Sequence, residues 1–260
     1  MEIDRRTFLL VTGGGVAAPL LSGRAATGPA ALRGRGIAAA ITTLDLGKGC
    51  GLPESVAGFE AAFGALGIGA RTIRAGGDEG AWPGGLFVVP AVTAPGPAAS
   101  NLLMRRAVRG DLCLVELGFG FGDEDQCSAG RSWLQQTLGL RAGNPIGSPR
   151  VSDRLVPYVD YTWPAATKIR DFSRVIPLEG PGWTPMAWSG NSVVGLRRRL
   201  GAGSVVVLGS TIGPHLRSDD PEATAWVRAL VAEAAVDQAP FDFRKGLAPT
   251  CFVPSSSVFS

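Results

Sequence analysis

The chain is poor in several of the residue types that carry chemistry. Its 260 residues include one histidine, His215, and four cysteines, Cys50, Cys113, Cys127 and Cys251, none in C-x-x-C spacing. That scarcity argues against a Cys/His zinc centre, and neither a metal nor a cofactor is expected. Lysine is nearly absent, with Lys48, Lys168 and Lys245 among 25 basic residues. The net charge of +3 is too small to point to nucleic acid as a partner. No unit of roughly 20–50 residues repeats. Past the N-terminus no apolar run approaches the ~20 residues of a membrane span, so no stable span is expected after processing.

What is present begins with Asp4-Arg5-Arg6-Thr7-Phe8-Leu9-Leu10, followed by an apolar stretch from Val11 to Leu21 softened by Gly13, Gly14, Gly15 and Pro19. The pattern is that of a twin-arginine signal peptide. It makes the twin-arginine translocase a partner during export and predicts a periplasmic or secreted protein. Cleavage is expected somewhere in 22–34, and an uncleaved anchor is the alternative. The chain divides into a signal at 1–30, a domain at 31–238 and a Pro/Ser-rich tail at 239–260. With 45% apolar residues the domain can build a sizeable core.

Strand and helix signals alternate through the first half. Residues 36–44, 69–74, 85–90 and 111–117 read as strands. Helices are expected from Pro53, over 98–108 and over 128–138, with Pro53 suited to a first helical turn. The second half changes character. After a Pro- and aromatic-rich stretch at 143–165 come strand-like runs at 174–178, 186–189, 192–198 and 204–209. Gly190-Asn191 and Gly201-Ala202-Gly203 mark hairpin turns. Asp220, Pro221 and Glu222 open a closing helix as N-cap, first-turn proline and first-turn acid. The expectation is an α/β fold: a flavodoxin-like, doubly wound, mostly parallel sheet with an antiparallel hairpin excursion.

The order of these elements, with Ser204-Val205-Val206-Val207-Leu208-Gly209-Ser210 leading to Asp220-Pro221-Glu222-Ala223, resembles the class I glutamine amidotransferase-like superfamily over residues 36–236. Active members keep a nucleophilic cysteine in a sharp turn after a strand, followed by a histidine and a glutamate beyond the last strand. By that resemblance the nucleophile position falls on Gly118, in the turn Glu116-Leu117-Gly118-Phe119-Gly120, and Cys113 lies inside the preceding strand. A thiol mechanism is therefore not expected, because covalent catalysis needs an activated nucleophile. The resemblance also puts the loops of Cys50 and Cys127 on one sheet edge and favours their disulfide among the three pairings four cysteines allow.

Ligands of open α/β sheets bind beyond the carboxyl ends of the strands. Asp45, Glu116 and His215 should converge there, and all three are candidates for acid–base work. Gly118, Phe119, Tyr158, Tyr161 and Trp163 are candidate ligand contacts, since aromatic faces suit sugars and planar ligands. Asp123-Glu124-Asp125 lacks calcium-loop spacing and reads as a solvated charge run. The reading that follows is an exported, non-catalytic amidotransferase-like domain that binds a small molecule or a protein partner. The alternatives are a cysteine-independent hydrolase of envelope or plant-derived carbohydrates, and a structural subunit of an exported assembly.

Overall fold

The structure, a computed structural model, describes residues 40–45, 52–76, 85–93, 95–119, 124–147 and 157–237. The signal segment, the tail, Cys50 and the side chain of Cys127 lie outside the described residues, as do Asp123 and the Cys50–Cys127 pairing.

Five strands open the chain's parallel half in space: β1 (Ala40–Asp45), β2 (Ala70–Arg74), β3 (Gly85–Val92), β4 (Leu112–Leu117) and, much later, β13 (Gly203–Leu208). Helices α1 (Pro53–Ala65), α2 (Pro97–Arg109) and α3 (Glu124–Leu138) connect them on the way out. The second half supplies β7 (Tyr158–Tyr161), β8 (Thr167–Arg170), β11 (Thr184–Ser189) and β12 (Ser192–Leu200). Two small ladders pair β5 (Arg141–Ala142) with β10 (Leu178–Glu179) and β6 (Ile146–Gly147) with β9 (Arg174–Val175). Helices α4 (Gly213–Arg217) and α5 (Pro221–Asp237) finish the described chain.

The main sheet has nine strands in the order β2-β1-β3-β4-β13-β12-β11-β7-β8. Its first four pairings are parallel, and its last four are antiparallel. This corrects the expected flavodoxin-like, mostly parallel sheet: half of the ladder runs the other way. Two of these antiparallel steps are the hairpins at the glycine turns, and the other two come from β7 and β8, which extend the sheet beyond β11. Two-residue turns at Gly190-Asn191 and Gly201-Ala202 join β11 to β12 and β12 to β13, and turns that short leave only antiparallel neighbours. Gly190 and Gly201 have φ of 58° and 63°, as such turns require. The expected strand at 174–178 is instead split between two ladders by Ile176-Pro177.

Strand alternation sorts side chains into two cores. Leu112 and Leu114 of β4, with Val206 and Leu208 of β13, meet Phe59 and Phe63 of α1 and Trp226, Val227 and Leu230 of α5 on one face. Cys113, Val115 and Leu117 meet Leu102 and Leu103 of α2 and Leu134 of α3 on the other. Glu116 is the next residue of the first set, so the strand's own period turns its carboxyl toward α1. Both edge strands carry cations, Arg71 and Arg74 on β2 and Lys168 and Arg170 on β8.

Helix α1 approaches α4 closely at Gly58, where a β-carbon would run into the Gly213 carbonyl. Gly64 of the same helix has nothing within 4 Å of its would-be β-carbon. Alanine gains up to about 1 kcal/mol over glycine in a helix interior, while overpacking costs about 1–3 kcal/mol. Gly58→Ala should therefore destabilise and Gly64→Ala should be neutral or stabilising. Denaturant midpoints at unchanged slope check both.

Candidate functional site

At the end of β4 the chain turns sharply. The Gly118 and Phe119 amides donate to the Val92 carbonyl at 2.7 and 3.3 Å. A β-carbon at Gly118 would strike the Ala91 carbonyl, so the position accepts glycine alone without a backbone shift. Ala91 itself has φ of 40°, a left-handed backbone for a residue with a side chain. Beside this turn lies Glu116, 0% exposed. Its carboxyl accepts the Ala91 amide at 2.9 Å and the Gly213 amide at 2.8 Å. The Ile212 amide also favours the charged form. The Ser55 hydroxyl lies near enough to do so without completing a hydrogen bond. Burial outweighs these donors and pushes the carboxyl up from 4.5 to about 7.

The three residues expected to converge do not. Asp45 ends β1, separated from β4 by β3, and its carboxylate accepts Arg74 Nε at 3.0 Å. Glu116 has no surface to offer a substrate; its carboxyl is spent on backbone amides. His215 alone reaches an open cleft, where its companions include Asp220, expected only as a helix cap, and Asp171 and Asp219.

That cleft has a volume of about 570 Å³ and is lined by Asp171, Phe172, Arg174, His215, Asp219 and Asp220, with Ser173, Thr211 and Ser218 among the remaining wall residues. Asp171 follows β8 directly, and its amide donates to the Pro157 carbonyl at 2.8 Å. Asp171 and Asp219 have φ of 71° and 56°, left-handed conformations that aspartate tolerates better than most residues. The Phe172 ring lies 4.3 Å from the imidazole, centroid to centroid, at 49°. Asp220 accepts the Ala223 amide at 2.8 Å and caps α5 as its sequence position predicts. Desolvation lowers the His215 pKa from its ordinary 6.5, opposed by the charges of Asp220 and Asp171. The imidazole is therefore neutral at pH 7, with acceptor and donor nitrogens both available. Among the described residues no group of three or more His, Cys, Asp or Glu is arranged to hold a metal ion.

The aromatic candidates are placed mostly in the core. Phe119 is 1% exposed and packs over Gly130. Tyr161 is fully buried, its hydroxyl 2.9 Å from Ser210 Oγ and its ring 5.0 Å from Trp226. Trp163 leans on the same core, accepts the Trp226 indole N–H at its carbonyl, and lies under Arg197. Tyr158 is half-buried beneath Lys168, whose Nζ sits 4.2 Å from the ring centroid. These rings anchor the antiparallel strands to the sheet. Cys113 is a free, buried thiol whose pKa burial pushes up, as expected of a packing residue.

No protein-family model matches the chain, and no curated protein matches it either. Solved structures do share its fold. A cold-adapted β-galactosidase from Rahnella sp. R3 aligns with TM-score 0.54 and 15% identity over 75% of this chain and 31% of the other. An exo-β-1,4-mannosidase from Opitutaceae bacterium strain TAV5 gives TM-score 0.51 and 14% identity over 74% of this chain and 36% of the other. A cytoplasmic protein from Salmonella typhimurium LT2 gives 0.50 and 12% over 73% of this chain and 97% of the other. The chain thus spans about a third of the glycosidases it matches. These likenesses overturn the resemblance to class I glutamine amidotransferases, and with it the reading of a degenerate amidotransferase-like binding domain. The sequence motifs behind that reading are a generic apolar strand and a generic helix start, which many α/β folds share.

The buried carboxyl has a measurable signature. Its folded pKa lies above its unfolded one, so between pH 4.5 and about 7 the folded state holds a proton that the unfolded state has lost. Stability from this group is present below pH 4.5 and falls through that window by roughly 3 kcal/mol. Glu116→Gln removes the titration. The difference between wild-type and variant unfolding free energies should therefore change with pH across the window and flatten above it. A difference independent of pH would show that Glu116 titrates normally.

Proposed function

We propose that the protein is a carbohydrate-directed hydrolase that seats a sugar in the His215 cleft. The observation that carries this reading is the assembly, in one open cleft, of carboxylates, a neutral imidazole and an aromatic face. Sugar hydroxyls suit carboxylate and imidazole partners, and sugar C–H faces suit rings. Glycosidic cleavage runs on a pair of carboxyl groups, one protonating the leaving oxygen and the other activating water or attacking the anomeric carbon. Asp171 and Asp219 are the pair assigned those roles; Asp220 is committed to the cap of α5. Support comes also from the fold shared with a β-galactosidase and an exo-mannosidase, whose activities belong to chains of which this one matches about a third. The structural-subunit reading has less to recommend it, because among the described residues the one exposed large apolar side chain is Val108.

The domain at 31–238 is proposed to work outside the cytoplasm, delivered by the twin-arginine translocase that Arg5-Arg6 addresses. Replacing both arginines by lysine should leave the protein inside the cell, which fractionation and blotting detect.

A panel of nitrophenyl glycosides and calorimetric titration with the matching free sugars tests the cleft. At least one glycoside should be cleaved, and Asp171→Asn should lower its kcat by about 10²-fold or more. Binding without turnover would reduce the reading to sugar recognition. Neither binding nor turnover across the panel would end it.

A further inference from the structure

We propose that Glu116, although sealed from solvent, is a positioning residue for the His215 cleft, and that its charge state is communicated to the imidazole through α4. Helix α4 is a five-residue turn whose first amide, that of Gly213, donates to Glu116 Oε1 at 2.8 Å. Two residues on, the His215 amide donates to the Ile212 carbonyl at 3.0 Å, and the His215 carbonyl accepts the Asp220 amide at 3.0 Å. The carboxyl is thus joined to the cleft by a continuous backbone path: Glu116, Gly213 and Ile212, His215, Asp220. The other oxygen accepts the Ala91 amide at 2.9 Å, in the irregular stretch of β3 between Val89 and Val92, past its last pairing with β1. When the carboxylate takes up a proton, one oxygen becomes a donor and its bond to a backbone amide weakens. Where the weakened bond is the one to Gly213, the change enters α4 at its first residue, two positions before the imidazole.

The groups around both ends of this path are few. Glu116 faces Ser55 from α1, Ala91 from β3, Ile212 and Gly213 at the start of α4, and, through its charge, Tyr161 from β7. Tyr161 stays protonated because burial raises its pKa further. His215 faces Phe172 and the charges of Asp171 and Asp220, with Asp219 and Arg174 in the wall of the same cleft. Since burial brings the Glu116 titration to about 7, the change falls in the ordinary working range of pH. The importance of the coupling for function rests on the carbohydrate reading of the cleft; the coupling itself does not.

The chain's one histidine makes the test direct. The imidazole carbon-bound protons of the full chain are followed by NMR from pH 4 to 9 without any sugar. The wild-type curve should show two inflections, one from His215 itself below its ordinary value and one near that of Glu116. In Glu116→Gln the upper inflection should vanish while the lower remains. In Ser55→Ala, which removes a group favouring the charged form, the upper inflection should move to higher pH. A single inflection in the wild type, or an upper inflection untouched by Glu116→Gln, overturns the proposal. Should Glu116→Gln fail to fold, an upper inflection unmoved by Ser55→Ala overturns it equally. Because no sugar enters the titration, a two-step curve from a protein that binds no sugar would sink the carbohydrate reading and leave the coupling standing.

Discussion

A carboxyl group with no contact to water survives only where the surrounding chain supplies hydrogen-bond donors, since a buried charge without them is too costly to keep. Around Glu116 those donors come from separate parts of the fold: Ala91 at the end of β3, and Ile212 and Gly213 at the start of α4, with Ser55 of α1 close by. One side chain therefore fixes where two strands stop, where a helix may approach and where the last crossover begins. The backbone concessions gather at the same place. Ala91 adopts a left-handed φ, Gly118 can carry no side chain, and Gly58 lets α1 press against Gly213.

Much of the secondary structure is legible in the sequence because each element carries a local signal. Pro53 and Pro97 stand at helix starts, and Pro221 follows the capping Asp220. The fully apolar run Leu112–Leu117 is a strand buried on both faces, interrupted only by Glu116. The turn glycines Gly190 and Gly201 sit where two-residue connections need positive φ. Strand direction is different. A buried strand looks the same whether its neighbour runs with it or against it; β7 lies in the stretch 143–165 whose prolines and aromatics read as irregular, and β8 follows that stretch with no strand assigned to it. The antiparallel half of the sheet was thus legible at β12 and β11, on either side of the turn glycines, and not at β7 and β8 beyond them.

The candidate site was legible only in His215. Its partners were hidden by competing local readings. Asp220 reads correctly as a helix cap, and its neighbour Asp219 disappears into the same motif. Asp171 stands beside Lys168 and Arg170 in sequence, which reads as an exchangeable surface charge pattern. What brings Asp171 to the imidazole is the position of β8 at the sheet's far edge and the return of the chain through Phe172. That is information about topology, which no short window of sequence contains. Glu116 was singled out for the opposite reason: an acid in an apolar strand is conspicuous, yet its burial makes it a support and removes it from direct contact with any ligand.

The two open margins of the nine-stranded sheet, β2 and β8, both present cationic side chains: Arg71 and Arg74 on one, Lys168 and Arg170 on the other. Exposed sheet edges invite further strands, and like charge along them is a known deterrent. Here the deterrent is symmetric. Whichever rim of one copy met whichever rim of another, cationic side chains would stand on both, with Arg74 sharing its charge with Asp45 on the neighbouring strand. Growth of the sheet from molecule to molecule along these rims is thereby discouraged.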